Sequence, residues 1–257
     1  MKQLRIALLV CDTPLPVVCE NYGDYPKLFE ELFRKAHTSL KMRIPIDFIL
    51  TSFDVTLEQY PENVTDFDAY VLTGSKFSAY EKDTIPWIKR LGDYVVEICE
   101  KTDAKLVGIC FGHQIIAQAL DGSVVKNPKG WEVGWTEMSL NERGMKLFGT
   151  DKTIVKLQQM HQDHVATVPP GFEILAYTEK CPVHAMIGRD GRILTVQGHP
   201  EFVPGVVMEI VKARKAANVF SEDVAKAVQE RVNNPADSAW FAEQILSFIA
   251  QPNQTKP

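Results

Sequence analysis

The stretch Lys105-Leu106-Val107-Gly108-Ile109-Cys110-Phe111-Gly112-His113-Gln114 passes from a short β-type run straight into a helical pattern. The pattern continues through Ile115, Ile116, Ala119 and Leu120 to the turn at Asp121-Gly122. A strand that feeds a helix so abruptly is one unit of a βα succession. It puts Cys110 at an elbow on the carboxyl edge of a sheet, where open α/β sheets carry their sites. Gly108 and Gly112 stand two residues to either side, which suits a turn too sharp for β-carbons. The positive end of the following helix favours the reactive thiolate. Taken alone, Gly-x-Cys-x-Gly reads equally well as a buried thiol at a turn, so a reactive reading requires a base elsewhere.

Working outward, the first half of the chain keeps the same alternation. Leu4–Val10, Ile44–Leu50, Ala69–Thr73 and Lys105–Ile109 read as strands. Tyr25–Leu40 and Ile85–Glu100 carry apolar residues at helical spacing (Leu28, Phe29, Leu32, Phe33 and Ala36 in the first; Ile88, Leu91, Val95 and Ile98 in the second) and read as crossover helices. From Ser123 to Gln197 the runs turn β-like, at Gly134–Leu140, Thr153–Leu157, Phe172–Tyr177, Val183–Ile187 and Arg192–Val196, with turns such as Arg189-Asp190-Gly191. These predict antiparallel additions to the main sheet. After Pro204 the pattern is helical again, over Val206–Ala217, Glu222–Arg231 and Ser238–Ala250. The expectation is one α/β domain over 1–250, with a C-terminal helical appendage over about 204–250 and a disordered polar tail over 251–257.

Composition narrows the function classes. The 257 residues are 45% hydrophobic, ample for a full core. A net charge of -5 without a basic cluster argues against nucleic acid as a partner. No apolar run approaches the roughly 18 residues of a membrane helix, and Leu4–Val10 is too short and too soon followed by Asp12 and prolines to be a signal peptide. A cytosolic or nucleocytoplasmic protein without membrane partners is expected. The five cysteines (Cys11, Cys19, Cys99, Cys110, Cys181) are odd in number, scattered, and form no Cys-x-x-Cys pair, so neither a disulfide framework nor a zinc site is suggested.

The base comes from Val196-Gln197-Gly198-His199-Pro200-Glu201-Phe202. Pro200 biases His199 toward extended backbone, and in an extended segment residues two apart face the same way. Glu201 can then accept a hydrogen bond from one imidazole nitrogen, fix the tautomer and leave the other nitrogen for the Cys110 proton. His37 and His184 read as surface or core fillers, and His113, though near Cys110, lacks an orienting third group. A divalent metal on His161, Asp163, His164 and His199 is a weaker alternative, since no helix-spaced pair or cysteine ligand supports it.

Gly-Ile-Cys-Phe-Gly-His-Gln at 108–114 followed by Gln-Gly-His-Pro-Glu at 197–201 resembles the class I glutamine amidotransferases. Val71-Leu72-Thr73-Gly74-Ser75-Lys76 is similar to that family's oxyanion loop, and His161-Gln162-Asp163-His164-Val165 to its His-Gly-Asp-x-Val element. The pattern is also similar to stand-alone proteins like the glutaminase domain of GMP synthetase and to plant γ-glutamyl peptidases. The resemblance implies a flavodoxin-like open, mainly parallel sheet flanked by helices, with antiparallel additions and C-terminal helices. It implies Cys110 as nucleophile, His199 as base and Glu201 as its orienter. It places the backbone N–H groups of Phe111 and of Gly74 or Ser75 around an oxyanion, and Gln114, His161, Gln162 and Asp163 against substrate. The implied reaction cleaves a γ-glutamyl amide through a thioester, on a small-molecule substrate, with no cofactor and no metal.

Departures bear on the substrate. Family loops often read Gly-Gly-Pro where Gly74-Ser75-Lys76 stands, so no proline stiffens this loop. Gly198, where dedicated amidotransferases commonly carry Phe, suggests room for a leaving group larger than ammonia. No Gly-x-x-x-x-Gly-Lys phosphate loop is present to consume ammonia within the chain. Three readings follow: a γ-glutamyl hydrolase, a glutaminase subunit that serves a separate synthetase partner, or a catalytically silent regulatory module.

Overall fold

In the computed structural model, which describes residues 2–40, 46–189 and 191–252, the chain opens with β1 (Lys2–Val10), α1 (Pro16–Tyr22), α2 (Tyr25–Leu40), β2 (Ile46–Asp54) and β3 (Ala69–Leu72). Next come α3 (Pro86–Lys101), β4 (Lys105–Ile109) and α4 (Phe111–Ala119). The β-rich half holds β5 (Ser123–Lys126), β6 (Glu132–Leu140), α5 (Glu142–Phe148), β7 (Ile154–His161), β8 (Asp163–Thr167), β9 (Phe172–Tyr177), β10 (Ala185–Gly188) and β11 (Ile193–Val196). The chain closes with α6 (Pro204–Ala216), α7 (Glu222–Arg231) and α8 (Ser238–Ala250).

The main sheet runs β2-β1-β3-β4-β11-β10-β9-β6-β7. Its first five strands are parallel, in the 2-1-3-4-5 order of flavodoxin-like sheets with β11 taking fifth place. The remaining four pair antiparallel, as the β-type runs of the second half predict. β5 and β8 are the exception, pairing with each other in a small separate sheet.

Period-two patterning sends alternate side chains of the parallel strands to opposite cores. Leu4, Ile6 and Leu8 of β1 meet Phe29, Leu32 and Phe33 of α2 on one face. Ala7 and Leu9 join Tyr70, Leu72 and Leu106 against Ile88, Leu91 and Val95 of α3 on the other. The C-terminal helices are built into the first core: α8 packs on α2 and buries Phe241, Ile245 and Leu246, while α6 lies against α1 and β7.

Two helices escape the sequence reading. α1 begins at Pro16, in a stretch to which the sequence reading assigns no element, and proline is well suited to a first helical position, where its missing N–H costs nothing. α5 is short, holds Gly144, and is started by Asn141, whose side chain accepts from Gly144 N–H. β2 continues past Leu50 to Asp54, and Ile44, its expected first residue, lies outside the described residues, as do Asp190 and the tail residues 253–257.

Candidate active site

Three loops meet at the carboxyl edge of the parallel strands, after β3, β4 and β11. Cys110, between β4 and α4, has φ 51° and ψ −101°, a conformation non-glycine residues rarely adopt. Surrounding hydrogen bonds hold it there: Cys110 N–H donates to Val196 O at 2.9 Å and Gly112 N–H to Thr73 O at 3.1 Å. Both glycines are required by space. A β-carbon on Gly108 would lie 2.5 Å from Gly112 O, and one on Gly112 would lie 2.5 Å from Leu72 O. Phe111, the first residue of α4, directs its N–H out of the helix end without an intrahelical acceptor.

His199 follows β11, anchored by its N–H to Gln158 O at 2.9 Å. Its Nδ1 lies 2.8 Å from Glu201 Oε1, and the Phe202 ring stacks on the imidazole at 4.0 Å and 3°. With Nδ1 engaged, the interaction with Cys110 falls to Nε2, which has no other partner among the described residues. Burial alone lowers the imidazole pKa, but the charges of Cys110 and Glu201, with their hydrogen bonds, outweigh it and push the value up to about 10. The structure thus brings Cys110, His199 and Glu201 together, all buried.

The loop after β3 closes the third side. A β-carbon on Gly74 would fall 2.8 Å from His199 Cε1, so the chain passes directly against the ring. In place of a proline, Asp12 holds the loop, accepting from Lys76 N–H at 2.8 Å and from Lys76 Nζ at 2.7 Å. Thr73 Oγ1 accepts from Cys11 N–H at 2.9 Å and donates to Gly74 O at 3.0 Å. Asp12 comes just after β1, beside the switch point of the strand order.

Gln114, one turn into α4, donates through Nε2 to Asp163 O at 3.1 Å and to Gln197 Oε1 at 3.0 Å. Asp163 is itself held, accepting from Ser78 Oγ at 2.5 Å and from Tyr80 OH at 3.3 Å. Gln162 accepts from Asn127 N–H through its carbonyl at 2.9 Å. His161 has both ring nitrogens engaged, Nδ1 3.0 Å from Asp163 O and Nε2 3.0 Å from Glu132 Oε2. These residues, with Cys110 and Ser75, line a small polar cavity of about 210 Å³. A second cavity of about 830 Å³ opens on the His199 side, walled by Leu15, Val18, Tyr25, Phe202, Val206 and Ile210. Ser75, Lys76, Phe77, Met160 and Arg214 border both cavities.

Comparison with known proteins places this geometry in a family. The sequence profile of the class I glutamine amidotransferases matches residues 33–214. The chain belongs to the class I glutamine amidotransferases. A glutamine amidotransferase-like protein of Schizosaccharomyces pombe is 37% identical over 96% of this amidotransferase-like chain and 99% of its own. Gamma-glutamyl peptidase 3 of Arabidopsis thaliana is 30% identical over 82% of this chain and 81% of its own. A crystal structure of a glutamine amidotransferase from Thermotoga maritima superposes with a TM-score of 0.71 at 18% identity, covering 97% of this chain and 99% of that one. That likeness establishes the fold.

Within this amidotransferase scaffold two readings from sequence need correction. Gly198 opens no space for a leaving group: a β-carbon there would meet Gln159 Nε2 at 2.6 Å and Leu157 Cβ at 3.2 Å, so its smallness serves packing under the sheet. The room lies instead on the α1 and α6 side. The metal set His161, Asp163, His164 and His199 is also dispersed, since His161 engages Glu132 and His199 engages Glu201. His113 is wholly buried on Thr195 Oγ1 at 2.7 Å, and burial, with His184 and His161 nearby, pushes its pKa down to about 3. Cys11 has the character expected of a structural thiol, its pKa pushed up to about 12 by burial. Sequence reasoning missed Asp12, Ser78, Tyr80 and the cavity wall from α1 and α6. The position of Asp12 just after the first strand was a usable signal for it.

No helix among the described residues is long and apolar enough to cross a membrane.

Proposed function

We propose that this amidotransferase-family chain is a hydrolase of γ-glutamyl amides whose leaving amine is larger than ammonia, acting through a γ-glutamyl thioester on Cys110. The observation that carries the reading is the apolar cavity of about 830 Å³ beside His199, separate from the small polar cavity beside Cys110. The group that protonates a leaving amine must touch it, so the amine leaves on the His199 side. Ammonia has no use for an apolar chamber of that size.

In this reading the glutamyl portion occupies the polar cavity, near Gln114 and Asp163, in the loop that His161 and Gln162 complete. The Cys110 sulfur attacks the γ-carbonyl, and the oxyanion is met by the N–H of Phe111 and that of Gly74 or Ser75. Donors fixed before the reaction contribute more than donors that must reorient, and the tie from Asp12 to Lys76 fixes this loop. Collapse sends the proton from His199 to the amine, breaks the C–N bond and leaves the thioester. Water, deprotonated by His199, then releases glutamate and regenerates the thiol. Glu201 holds the ring and stabilises its cationic form. Arg214, at the border of the two cavities, suits a leaving group that carries a carboxylate, as a peptide does. The similarity to Arabidopsis γ-glutamyl peptidase 3 supports the same substrate class.

The test is glutamate release from glutamine, glutathione and glutathione S-conjugates, each against Cys110→Ala. We expect kcat/KM for the conjugates to exceed that for glutamine by at least about tenfold, the discrimination of roughly one or two buried methylenes. Glutamine as best substrate, with a rate that rises on adding a second protein, would favour the ammonia-delivering subunit instead. Release from none of them would leave the silent module.

A further inference from the structure

Behind the small polar cavity, around the side chain of His161, lies a second group of chemically active side chains that take no part in the proposed bond cleavage itself. One ligand atom each from His161, Cys181 and His184 lie within 4.8 Å of one another, all three residues buried. Glu132 Oε2 stands 3.0 Å from His161 Nε2 and 3.2 Å from His184 Nε2. We propose that these four residues form a binding site for a zinc ion, with the two imidazoles, the Cys181 sulfur and a Glu132 oxygen as ligands.

The argument begins with hydrogens. His161 Nδ1 lies 3.0 Å from the Asp163 carbonyl oxygen, which can only accept, so Nδ1 carries a hydrogen. A neutral ring then has a lone pair at Nε2, and that lone pair points at Glu132 Oε2, also an acceptor. Two acceptors at 3.0 Å need a positive centre between them. The same carboxylate oxygen faces the second imidazole, whose own Nδ1 has no partner among the described residues. A carbonyl that fixes one ring nitrogen while the other presents its lone pair is how metal-binding histidines are oriented.

The donor set selects the ion. Two imidazoles, one sulfur and one carboxylate form the mixed N, S, O environment that suits zinc. A thiolate and a carboxylate neutralise its two charges, which removes the objection to burying it. Binding requires Cys181 to give up its thiol proton, now directed to Val183 O at 3.4 Å, to solvent. Tetrahedral ligation at about 2.0–2.3 Å sets ligand atoms roughly 3.3–3.6 Å apart, so the His161, Cys181 and His184 ligand atoms close by about an ångström while the Glu132 carboxylate meets the ion from its position against the two imidazoles. The supports are in place: Thr178 Oγ1 donates to Glu132 Oε1 at 2.8 Å and accepts from Cys181 N–H at 2.9 Å. His161 also borders the cavity beside Cys110. The site ties the ends of β6 and β7 to the β9–β10 connection and holds the strand that leads to Asp163.

The test titrates zinc chloride into chelator-treated full-length protein, and separately cobalt(II) chloride, whose thiolate charge-transfer absorption reports sulfur ligation. We expect about one zinc per chain in the wild type and in Cys110→Ala, and at least a tenfold weaker affinity in Cys181→Ser and His184→Gln. The cobalt spectrum of the wild type tests sulfur ligation without any variant. Absence of stoichiometric binding to the wild type overturns the proposal and assigns the positive centre to a proton. Binding that vanishes in Cys110→Ala but persists in Cys181→Ser also overturns it, because the ion then sits on the nucleophile. A cobalt complex without the thiolate band removes Cys181 from the ligand set and overturns it as well.

Discussion

The behaviour of His199 depends on two negative neighbours more than on its own burial. Burial favours the neutral ring, yet Cys110 and Glu201 together hold the pKa near 10. A histidine with a folded-state pKa raised above the ordinary value contributes stability that is full below about pH 6.5. It is lost as pH rises through about 10. The stability difference between wild type and His199→Gln in urea unfolding should therefore shrink steadily from pH 6.5 to 10; a difference that grows over that window would contradict the pairing. For turnover, His199→Ala should lower kcat by about 10²–10⁴-fold, and Glu201→Gln by a factor on the order of ten less, because the orienting group touches no reacting atom. Steady-state kinetics on the preferred γ-glutamyl substrate measures both. At this scale the sequence was most readable. Cys110, His199 and Glu201 announce themselves through spacing and local backbone bias, since the glycines and Pro200 dictate geometry directly. The place of Asp12 just after the first strand was visible, but its role was not, because its partner Lys76 is distant in sequence and meets it only when β1 and β3 lie side by side.

Elements were legible where periodicity ran long. α2 and α3 declare a single apolar face over 16 residues each, and the parallel strands are short continuous apolar runs between turns. α1 and α5, with 7 residues each, are too short to establish a period. α8 was visible as a helix, but its importance was not: Phe241, Ile245 and Leu246 are fully buried, and Phe241 packs edge-on against Phe148 of α5 at 5.8 Å. Phe241→Ala should cost about 3–5 kcal/mol of stability, as deletion of a buried ring does. Urea unfolding followed by circular dichroism reads that loss, and the low-temperature rate should be kept, since no atom of α8 borders either cavity. A loss under 1 kcal/mol would mean that α8 is peripheral after all.

For the whole molecule, the strand order could be anticipated as a class but not as a path. The chain builds four parallel strands in its first 109 residues, leaves for the antiparallel half, and returns only with β11 to complete the parallel set. Because β11 pairs with β4 in register Val196 to Ile109, the cysteine and the histidine that follow those strands arrive at the same edge. The pairing of Cys110 with His199 is thus a property of sheet order, fixed by contacts between segments nearly 90 residues apart, and of the six strands that intervene in the chain β7 adds an anchor for His199 through Gln158 O. The cavity walls followed a different rule: they come from α1 and α6, whose nearness depends on packing that no local pattern encodes.

The short loop from Ser75 to Phe77 is a shared wall between the two cavities. Under the proposed reaction, a substitution there should alter at once how the acyl group is gripped and what departs, so that selectivity and speed change together. Diversification toward new substrates is freest where only the larger chamber is touched, at Leu15 and Val18 of the α1 region and at Val206 and Ile210 of α6. The loop itself is the place where a lineage would be slowest to change.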